Sequence, residues 1–227
     1  MKIHDNIEIR DFGLYFKKEK TLVIGDVHIG YEEALNRKGF MMPRVYFKEF
    51  LEKFSKMLKD VEVVVINGDL KHEFGRVSVT EYRGSKEMFD LLQGKKVIVI
   101  QGNHDPILKA IVKDLEIRKF YKINDVLICH GDEILKEECK VIIIGHEHVA
   151  VGLKEGERFE KYKCFIKGMY KGKVLIAMPS ANQMVEGTDI LREERLSPYL
   201  KQDLRDFEVF IISDKVYNFG KVKDLIN

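Results

Sequence analysis

Five short apolar runs constrain the fold of this chain more than any other feature of its sequence. Each has the length of a β-strand and is rich in β-branched residues. They occupy residues 21–25, 61–66, 96–101, 126–129 and 141–145. Residues 44–58 carry apolar side chains at three- and four-residue spacing, which predicts an amphipathic helix, and 78–93 is a second helix candidate. A shorter helix is expected after Pro106, because proline is favoured in a first helical turn.

The order of these elements predicts the fold class. The first half alternates strand and helix, which implies parallel strands joined by helical crossovers. After about residue 115, further strand candidates follow one another through short connections, which favours a more antiparallel second sheet. We therefore expect an α/β fold, a two-sheet β-sandwich flanked by helices, and a single domain over residues 1–227 because no linker interrupts the pattern.

Composition excludes some classes of protein. The chain has 39 basic and 37 acidic side chains, so it lacks the strongly basic character of a protein that coats DNA, although a local basic rim is compatible with this balance. No apolar run is long enough to span a membrane, and the charged N-terminus lacks the apolar core of a signal peptide. Cys129, Cys139 and Cys164 form no CxxC pair. Free thiols in a reducing cytoplasm are the simplest interpretation.

Polar residues follow all five apolar runs. Ligands of open α/β sheets bind outside the carboxyl ends of the strands, so these residues could converge on one site. A single Gly-Asp pair or strand-end histidine is usually structural, but five such loops in one chain point to a functional site. In chain order the candidates are Asp26 and His28, Asp69, then Asn103, His104 and Asp105, then His130, and finally His146 and His148.

The donor atoms of these residues indicate the chemistry. Carboxylates, an amide oxygen and imidazoles without a thiolate suit Mn, Fe or Zn better than Ca or a structural zinc site. Two divalent cations would outweigh the charges of Asp26, Asp69 and one hydroxide. The resulting positive charge would attract an anionic phosphate and stabilise charge that grows in the transition state.

The motifs DVH, NGDL, GNHD, HG and GHEH, in this order, resemble the signature motifs of calcineurin-like metallophosphoesterases over roughly residues 21–182. The segments NGDLKHEF and MPSANQMVEGTDI resemble more closely a small archaeal group of phosphoesterases. That group is related to the nuclease subunit of double-strand-break repair complexes. The resemblance implies the metallophosphoesterase-like αββα arrangement and a site with two metal ions.

The resemblance also implies a role for each candidate. One metal would be held by Asp26, His28 and His148, the other by Asn103, His130 and His146, with Asp69 bridging them. His104 would act as a general acid or phosphate ligand, with Asp105 orienting it, although Asp105 could also cap a helix before Pro106. His72 either lies near the substrate phosphate or is an exposed loop histidine.

The implied reaction is hydrolysis of a phosphate ester by in-line attack of a hydroxide that bridges two divalent ions, with Mn expected first and Fe or Zn as alternatives. The short stretch between His104 and His130 leaves little room for a capping subdomain. An open site favours a phosphodiester substrate, with DNA or RNA as candidates. A phosphomonoesterase acting on a nucleotide or phosphoprotein is the alternative, and a non-catalytic scaffold is a rival of another class.

Basic residues near the motifs are expected to be solvated surface charges rather than phosphate contacts. They are Lys71, Arg76 and Arg44. The sequence predicts no membrane association and identifies no protein partner.

Overall fold

The computed structural model describes residues 1–43, 45–111 and 115–226 and contains two β-sheets packed face to face. The seven strands of the first sheet lie side by side in chain order. They are β1 Lys2–His4, β2 Ile7–Arg10, β3 Gly13–Phe16, β4 Thr21–Ile24, β5 Val63–Asn67, β6 Lys96–Ile100 and β7 Glu116–Arg118. Strands β1 to β4 are antiparallel, whereas β4 to β7 are parallel.

Helices connect the parallel strands of this sheet, as the sequence predicts. The α-helices are α1 Tyr31–Arg37, α2 Tyr46–Met57 and α3 Val79–Asp90, and there are 3-10 helices at Leu108–Ala110 and Val222–Leu225. Helices α2 and α3 lie within the two predicted ranges, and the described residues after Pro106 form a 3-10 turn at Leu108–Ala110. Among the described residues, no helix has the length and apolar character that crossing a bilayer requires.

Helix α3 begins with a capping box. Ser78 Oγ accepts a hydrogen bond from the backbone N–H of Glu81 at 3.1 Å, and Glu81 Oε2 accepts one from the backbone N–H of Ser78 at 2.6 Å. These bonds satisfy amides that a helix start otherwise leaves without partners. Glu81 Oε1 also accepts a bond from the backbone N–H of Glu73 at 2.7 Å, so the cap ties α3 to the loop that follows β5.

The second sheet contains nine strands. They are β8 Phe120–Ile123, β9 Val126–Cys129, β10 Val141–Ile144, β11 Val149–Glu155, β12 Arg158–Tyr170, β13 Lys173–Ala177, β14 Thr188–Asp189, β15 Glu208–Ile212 and β16 Val216–Lys221. Their main order is β14-β11-β12-β13-β10-β9-β8, and β15 pairs with β12 and β16. Most pairs are antiparallel, as expected, but β10 is parallel to both β9 and β13, and β14 is parallel to β11.

The boundary between the sheets differs from the prediction. The sequence placed residues from about 115 onward in the second sheet, but β7 pairs with β6 in the first sheet and only β8 begins the second. The apolar pattern cannot separate these two strands because a single residue, Lys119, lies between them. Strands β1 to β3 were not predicted from the sequence.

Three apolar layers stabilise the sandwich. Alternate residues of β5 point in opposite directions, so Val64 and Ile66 pack against the helices while Val65 packs against the second sheet. An irregular segment, residues 191–207, covers the outer face of the second sheet through Tyr199 and Phe207. The predicted fold class, an α/β sandwich of two sheets with helices, is confirmed.

The inner layer supplies a test of packing. Phe165 and Phe159 lie on the same strand, β12, but Phe165 is 0% exposed between the sheets and Phe159 is 48% exposed. Replacing Phe165 by Ala should cost about 3–5 kcal/mol because it leaves a cavity in a close-packed core. The matched change Phe159→Ala should cost about 1 kcal/mol or less. Urea unfolding of both variants measures the difference, and equal losses would contradict this description of the core.

Candidate metal centre

The predicted site residues follow strands whose carboxyl ends meet at one edge of the sandwich. Strands β4, β5 and β6 are parallel neighbours in the first sheet, and β9 and β10 are parallel neighbours in the second. Parallel pairing places the loops after these strands side by side. The loops contain Asp26 and His28, Asp69, Asn103 to Asp105, His130, and His146 and His148.

Four of these side chains form a first cluster. His28 Nε2 lies 3.1 Å from His148 Nε2, and His148 Nε2 lies 3.5 Å from Asp26 Oδ1. One ligand atom from each of Asp26, His28, Asp69 and His148 lies within 4.8 Å of the others. This spacing suits one cation surrounded by nitrogen and oxygen donors.

A second cluster lies beside the first. His130 Nε2 is 2.9 Å from Asn103 Oδ1 and 3.1 Å from His146 Nδ1. Three loops, one from the first sheet and two from the second, therefore direct their donor atoms to a common point. The structure brings together the three residues assigned to a second metal.

Asp69 lies between the two clusters. Its Oδ2 atom is 3.8 Å from His28 Nε2 in the first cluster and 3.6 Å from His130 Nε2 in the second. Its Oδ1 atom accepts a hydrogen bond from the backbone N–H of His104 at 2.9 Å, which fixes the carboxylate. One oxygen of Asp69 is thus placed where it could serve two cations.

The backbone of these loops is unusual. Five of the candidate ligands have positive φ angles, between 43° and 61°, although none is glycine. Such residues are uncommon and cluster at functional sites, where the surrounding structure holds them in place. They are Asp26, His28, Asp69, His146 and His148.

Two glycines permit the close approach of the loops. A Cβ atom on Gly102 would lie 2.1 Å from Asp69 Oδ1, and one on Gly68 would lie 2.1 Å from His130 Nδ1. Gly68 also has a φ of 82°, which favours glycine. Any side chain at these positions would displace a candidate metal ligand.

Unpartnered polar atoms show that the site fits cations. Asp26 Oδ1, His28 Nδ1 and His130 Nδ1 are buried and have no hydrogen-bond partner among the described residues. Buried polar groups in folded proteins are otherwise almost always satisfied. A buried carboxylate oxygen that faces imidazole nitrogens at 3.5 and 3.6 Å is a suitable ligand for a divalent cation.

Burial sets the protonation of the site before any cation binds. Burial and the neighbouring charge of Asp26 raise the pKa of Asp69 to about 8. Burial opposes ionisation of Asp26 as well, but the imidazoles of His148, His130 and His28 hold its pKa below the usual value. Burial, followed by the charge of His130, lowers the pKa of His146 to about 4. The neutral imidazole that His146 therefore presents at pH 7 is the form that binds a metal.

His104 and His72 lie at the edge of the first cluster. The ring of His28 is 5.3 Å from that of His104 and 5.5 Å from that of His72, measured between centroids. His104 Nδ1 donates a hydrogen bond to the backbone carbonyl oxygen of His72 at 2.9 Å. His72 is only partly exposed and packs against Tyr31 at 4.8 Å. It is therefore part of the site's wall and not an exposed loop histidine.

The Asp105 carboxylate binds backbone N–H groups rather than the imidazole ring of His104. Its buried carboxylate accepts hydrogen bonds from the N–H groups of Leu70, Lys71 and Gly102 at 3.2, 3.4 and 3.2 Å. These bonds join the loops after β5 and β6. The nearest helix, the 3-10 turn after Pro106, has Ile107 as its N-cap, so Asp105 does not cap it through its side chain.

The expectation for the basic residues was partly wrong. Lys71 is 0% exposed, and its Nζ donates hydrogen bonds to the carbonyl oxygens of His104, at 2.8 Å, and Glu73. Its ammonium group is satisfied by backbone carbonyls and helps to hold His104. Arg76 is exposed and pairs with Glu73 at 3.0 Å, as a surface charge would. Arg44 lies outside the described residues.

Sequence reasoning missed the residues that support the ligands from behind. Ser180 Oγ donates a hydrogen bond to the backbone carbonyl of Asp26 at 2.6 Å, and Asn182 Nδ2 donates to the carbonyl of His28 at 3.3 Å. Lys163 Nζ in turn donates to the carbonyl oxygens of Ser180, at 2.8 Å, and Asn182. The only signal was the segment MPSANQ, which directly follows the apolar run of β13.

Glu147 provides a second support, between two candidate ligands. Its buried carboxylate accepts hydrogen bonds from the N–H groups of Leu196 and Ser197 at 3.2 and 2.7 Å. Ser197 Oγ donates to the carbonyl of Gly131 at 2.7 Å. The segment that covers the second sheet is therefore attached directly to the metal loops.

The two-sheet sandwich brings this cluster of histidines and aspartates together as a candidate metal site. The family model for calcineurin-like phosphoesterases matches residues 19–147, more than half of the chain, and the chain belongs to this family. No curated protein sequence gives a significant match.

One of three similar solved structures supports the same fold. The nuclease MPE of Pseudomonas putida is 17% identical, with a TM-score of 0.65 and 93% of each chain covered. A protein of unknown function from Aquifex aeolicus, AQ665, is 21% identical, with a TM-score of 0.39, and covers 56% of this chain and 77% of its own. A single mutant of Vps29 from Entamoeba histolytica is 17% identical, with a TM-score of 0.35 and coverages of 91% and 95%. Only the first is similar enough to support the fold.

The pH dependence of stability tests the protonation of Asp69 without an activity assay. Because its pKa in the folded protein is raised to about 8, the contribution of Asp69 to the stability of metal-free protein should decrease as pH rises from about 4 to about 8. Asp69→Asn removes this ionisation, so the stability of the variant relative to wild type should increase over that range. Thermal unfolding of both proteins at pH 5 and pH 8 measures the difference.

The same pair of proteins tests metal binding. Wild type loaded with excess Mn²⁺ should hold about two ions per chain and gain thermal stability, because ligands that bind only the folded state stabilise it. Asp69→Asn should lose most of both effects, whereas Asp60→Asn, at an exposed position, should lose neither. Equal metal contents in all three proteins would contradict the bridging role.

Proposed function

We propose that this protein is a dinuclear-metal-dependent phosphodiesterase, with nucleic acid as its candidate substrate. The position of the Asp69 carboxylate carries the proposal, because its Oδ2 atom faces an imidazole of each cluster at 3.8 and 3.6 Å. The family membership supports metal-dependent hydrolysis of a phosphate ester. The preference for a diester and for nucleic acid goes further and rests on the shape and charge of the site.

The residues that would hold the metals fall into two sets. Asp26, His28 and His148 would hold one ion and Asn103, His130 and His146 the other, with Asp69 shared. Such ions act as Lewis acids and lower the pKa of bound water enough to supply an attacking hydroxide at neutral pH. Manganese is our first choice, with iron or zinc as alternatives, because the donors are nitrogen and oxygen without sulfur.

His104 is proposed to protonate the leaving oxygen. Its Nδ1–H is committed to the carbonyl oxygen of His72, so the proton for transfer would come from Nε2 of the imidazolium form. The backbone of His104 is held on two sides, since its N–H donates to Asp69 and its carbonyl accepts from Lys71. These bonds fix the ring beside the first cluster without using the nitrogen that would face the substrate.

Two cavities border the site, and together they favour a diester. A cavity of about 510 Å³ is lined by His104, His148 and Asp69, and one of about 350 Å³ is lined by His28. Tyr31 lines both. A phosphate held between them has room for a substituent on each side, which a diester carries and a monoester does not.

The charge of the larger cavity also favours a diester substrate. Its described lining includes Glu147 and Glu186 but neither lysine nor arginine. A dianionic monoester would gain from an added cation near the metals, whereas a monoanionic diester needs less compensation. A phosphomonoesterase acting on a nucleotide or phosphoprotein is therefore the less favoured alternative.

We also propose that the protein is cytoplasmic and that residues 1–227 form a single domain. The three cysteines are free thiols, which is consistent with a reducing cytoplasm. The apolar layer between the sheets joins residues from Ile3 to Phe210, which is consistent with a single domain.

Replacing His104 separates chemistry from metal binding. His104→Ala should retain about two Mn²⁺ ions per chain, because the side chain lies outside both ligand sets, while its rate falls about 10²–10⁴-fold. His4→Ala removes a histidine from the distant strand β1 and should leave the rate unchanged. Metal analysis and turnover of bis-p-nitrophenyl phosphate test both variants, and loss of metal in His104→Ala would show that the role is wrongly assigned.

The substrate class is tested at a matched leaving group. Mn-loaded protein should hydrolyse bis-p-nitrophenyl phosphate with a higher kcat/KM than p-nitrophenyl phosphate, because the two cavities accommodate both substituents of a diester. Single-stranded DNA should also be cleaved. A strong preference for the monoester without cleavage of DNA would replace the diesterase by the monoesterase alternative and leave the metal centre intact.

A further inference from the structure

The cavity of about 350 Å³ next to the metal centre is not explained by metal binding or by the transfer of a proton. It lies between the amino-terminal parts of α1 and α2, one face of α3 and the loop that follows β13. Its size is near the lower end of small-molecule sites, which span about 300–1,000 Å³. A single ring system fits such a space better than a large ligand does.

The position of the cavity links it to the phosphate site. His28, a candidate metal ligand, lines the cavity, and Tyr31 lines both this cavity and the larger one. The Tyr31 ring also packs edge-on against His72 at 4.8 Å between centroids. A group in this cavity could therefore be covalently attached to a phosphate at the metal centre.

The walls combine aromatic carbon with an unpartnered amide donor. Tyr31, Tyr46 and Phe47 contribute rings to the lining. Gln183 also lines the cavity, and its buried Nε2 atom has no hydrogen-bond partner within the described part of the chain. Buried amide donors are normally satisfied, so this group calls for an acceptor supplied by the occupant. A purely aliphatic occupant would leave it unsatisfied.

The charges around the cavity argue against a second phosphate. Two cations, Lys48 and Arg83, and three carboxylates, Glu32, Glu33 and Glu87, line it, which leaves a formal balance of one negative charge. An additional phosphate would be repelled, whereas a neutral ring with hydrogen-bond acceptors would not. Aromatic side chains stack on nucleobases irrespective of sequence.

We infer that this cavity binds one nucleobase of the substrate, on the His28 side of the scissile phosphate. The inference rests on the proposed phosphodiesterase function, which it deepens by naming a nucleotide diester as the substrate class. The cavity would provide stacking against its aromatic walls, and the Gln183 amide would donate a hydrogen bond to a ring acceptor of the base.

Two substrates with the same leaving group test this inference. The p-nitrophenyl ester of thymidine 5′-monophosphate carries a base, and methyl p-nitrophenyl phosphate does not. Mn-loaded wild type should prefer the thymidine ester by about 10-fold or more in kcat/KM, the scale of one stacked base. A ratio near one would overturn the inference.

Variants on one helix provide the matched control. Thr80 and Tyr82 both lie in the first turn of α3, but only Thr80 lines the cavity. Thr80→Trp should fill it and remove most of the preference for the thymidine ester. Tyr82→Trp, at a position 55% exposed, should keep the preference. Gln183→Met keeps the side-chain length but removes the donor, and it should reduce the preference several-fold.

A binding experiment without metal separates this inference from the proposed function. Thymidine, which carries no phosphate, should bind metal-free wild type and Tyr82→Trp in NMR titrations but not Thr80→Trp. Hydrolysis of methyl p-nitrophenyl phosphate without thymidine binding would overturn the base site and leave the phosphodiesterase proposal standing. Thymidine binding without hydrolysis of either ester would support the base site and overturn the phosphodiesterase proposal.

Discussion

The burial of two neighbouring carboxylates, Asp26 and Asp69, is the constraint on which the rest of this structure depends. Each has one oxygen bound to a backbone amide, of His146 at 3.0 Å and of His104 at 2.9 Å respectively. The bond from His146 crosses from one sheet to the other, so it fixes the relative position of the loops. The remaining oxygens face imidazole nitrogens. Burying two carboxylates so close together is unfavourable, and bound cations would offset that cost. The site is thus built to be completed by metal.

The sequence was sufficient to predict the α/β sandwich and the loops of the site, because both depend on local patterns. Apolar runs such as residues 63–67 predict strands directly. The polar residues that follow each run predict which side chains lie at the carboxyl end of that strand. The assignment of β7 to the first sheet and the parallel pairing of β10 depend on long-range contacts that no local pattern records. The same limit applies to Lys71, whose burial follows from carbonyl groups of the loops around it.

The two sheets supply different parts of the site. The first sheet supplies Asp26, Asp69 and Asn103, and the carbonyl groups behind Asp26 and His28 are held by Ser180 and Asn182 from the second. Lys163 on β12 fixes those two residues in turn. Ligand geometry therefore depends on how the sheets dock, which is why an isolated first sheet would not form this site even though it contains most of the motifs.

The attachment of Glu147 to residues 196 and 197 has a thermodynamic consequence. This carboxylate lies between His146 and His148 and accepts both amides of the irregular segment that covers the second sheet. Local opening of that segment would release Glu147 and loosen the histidines on either side of it. Proteins open locally in cooperative units, and a ligand that binds only the closed form suppresses the opening. Occupancy of the metal centre and the rigidity of the segment that covers the second sheet are therefore linked.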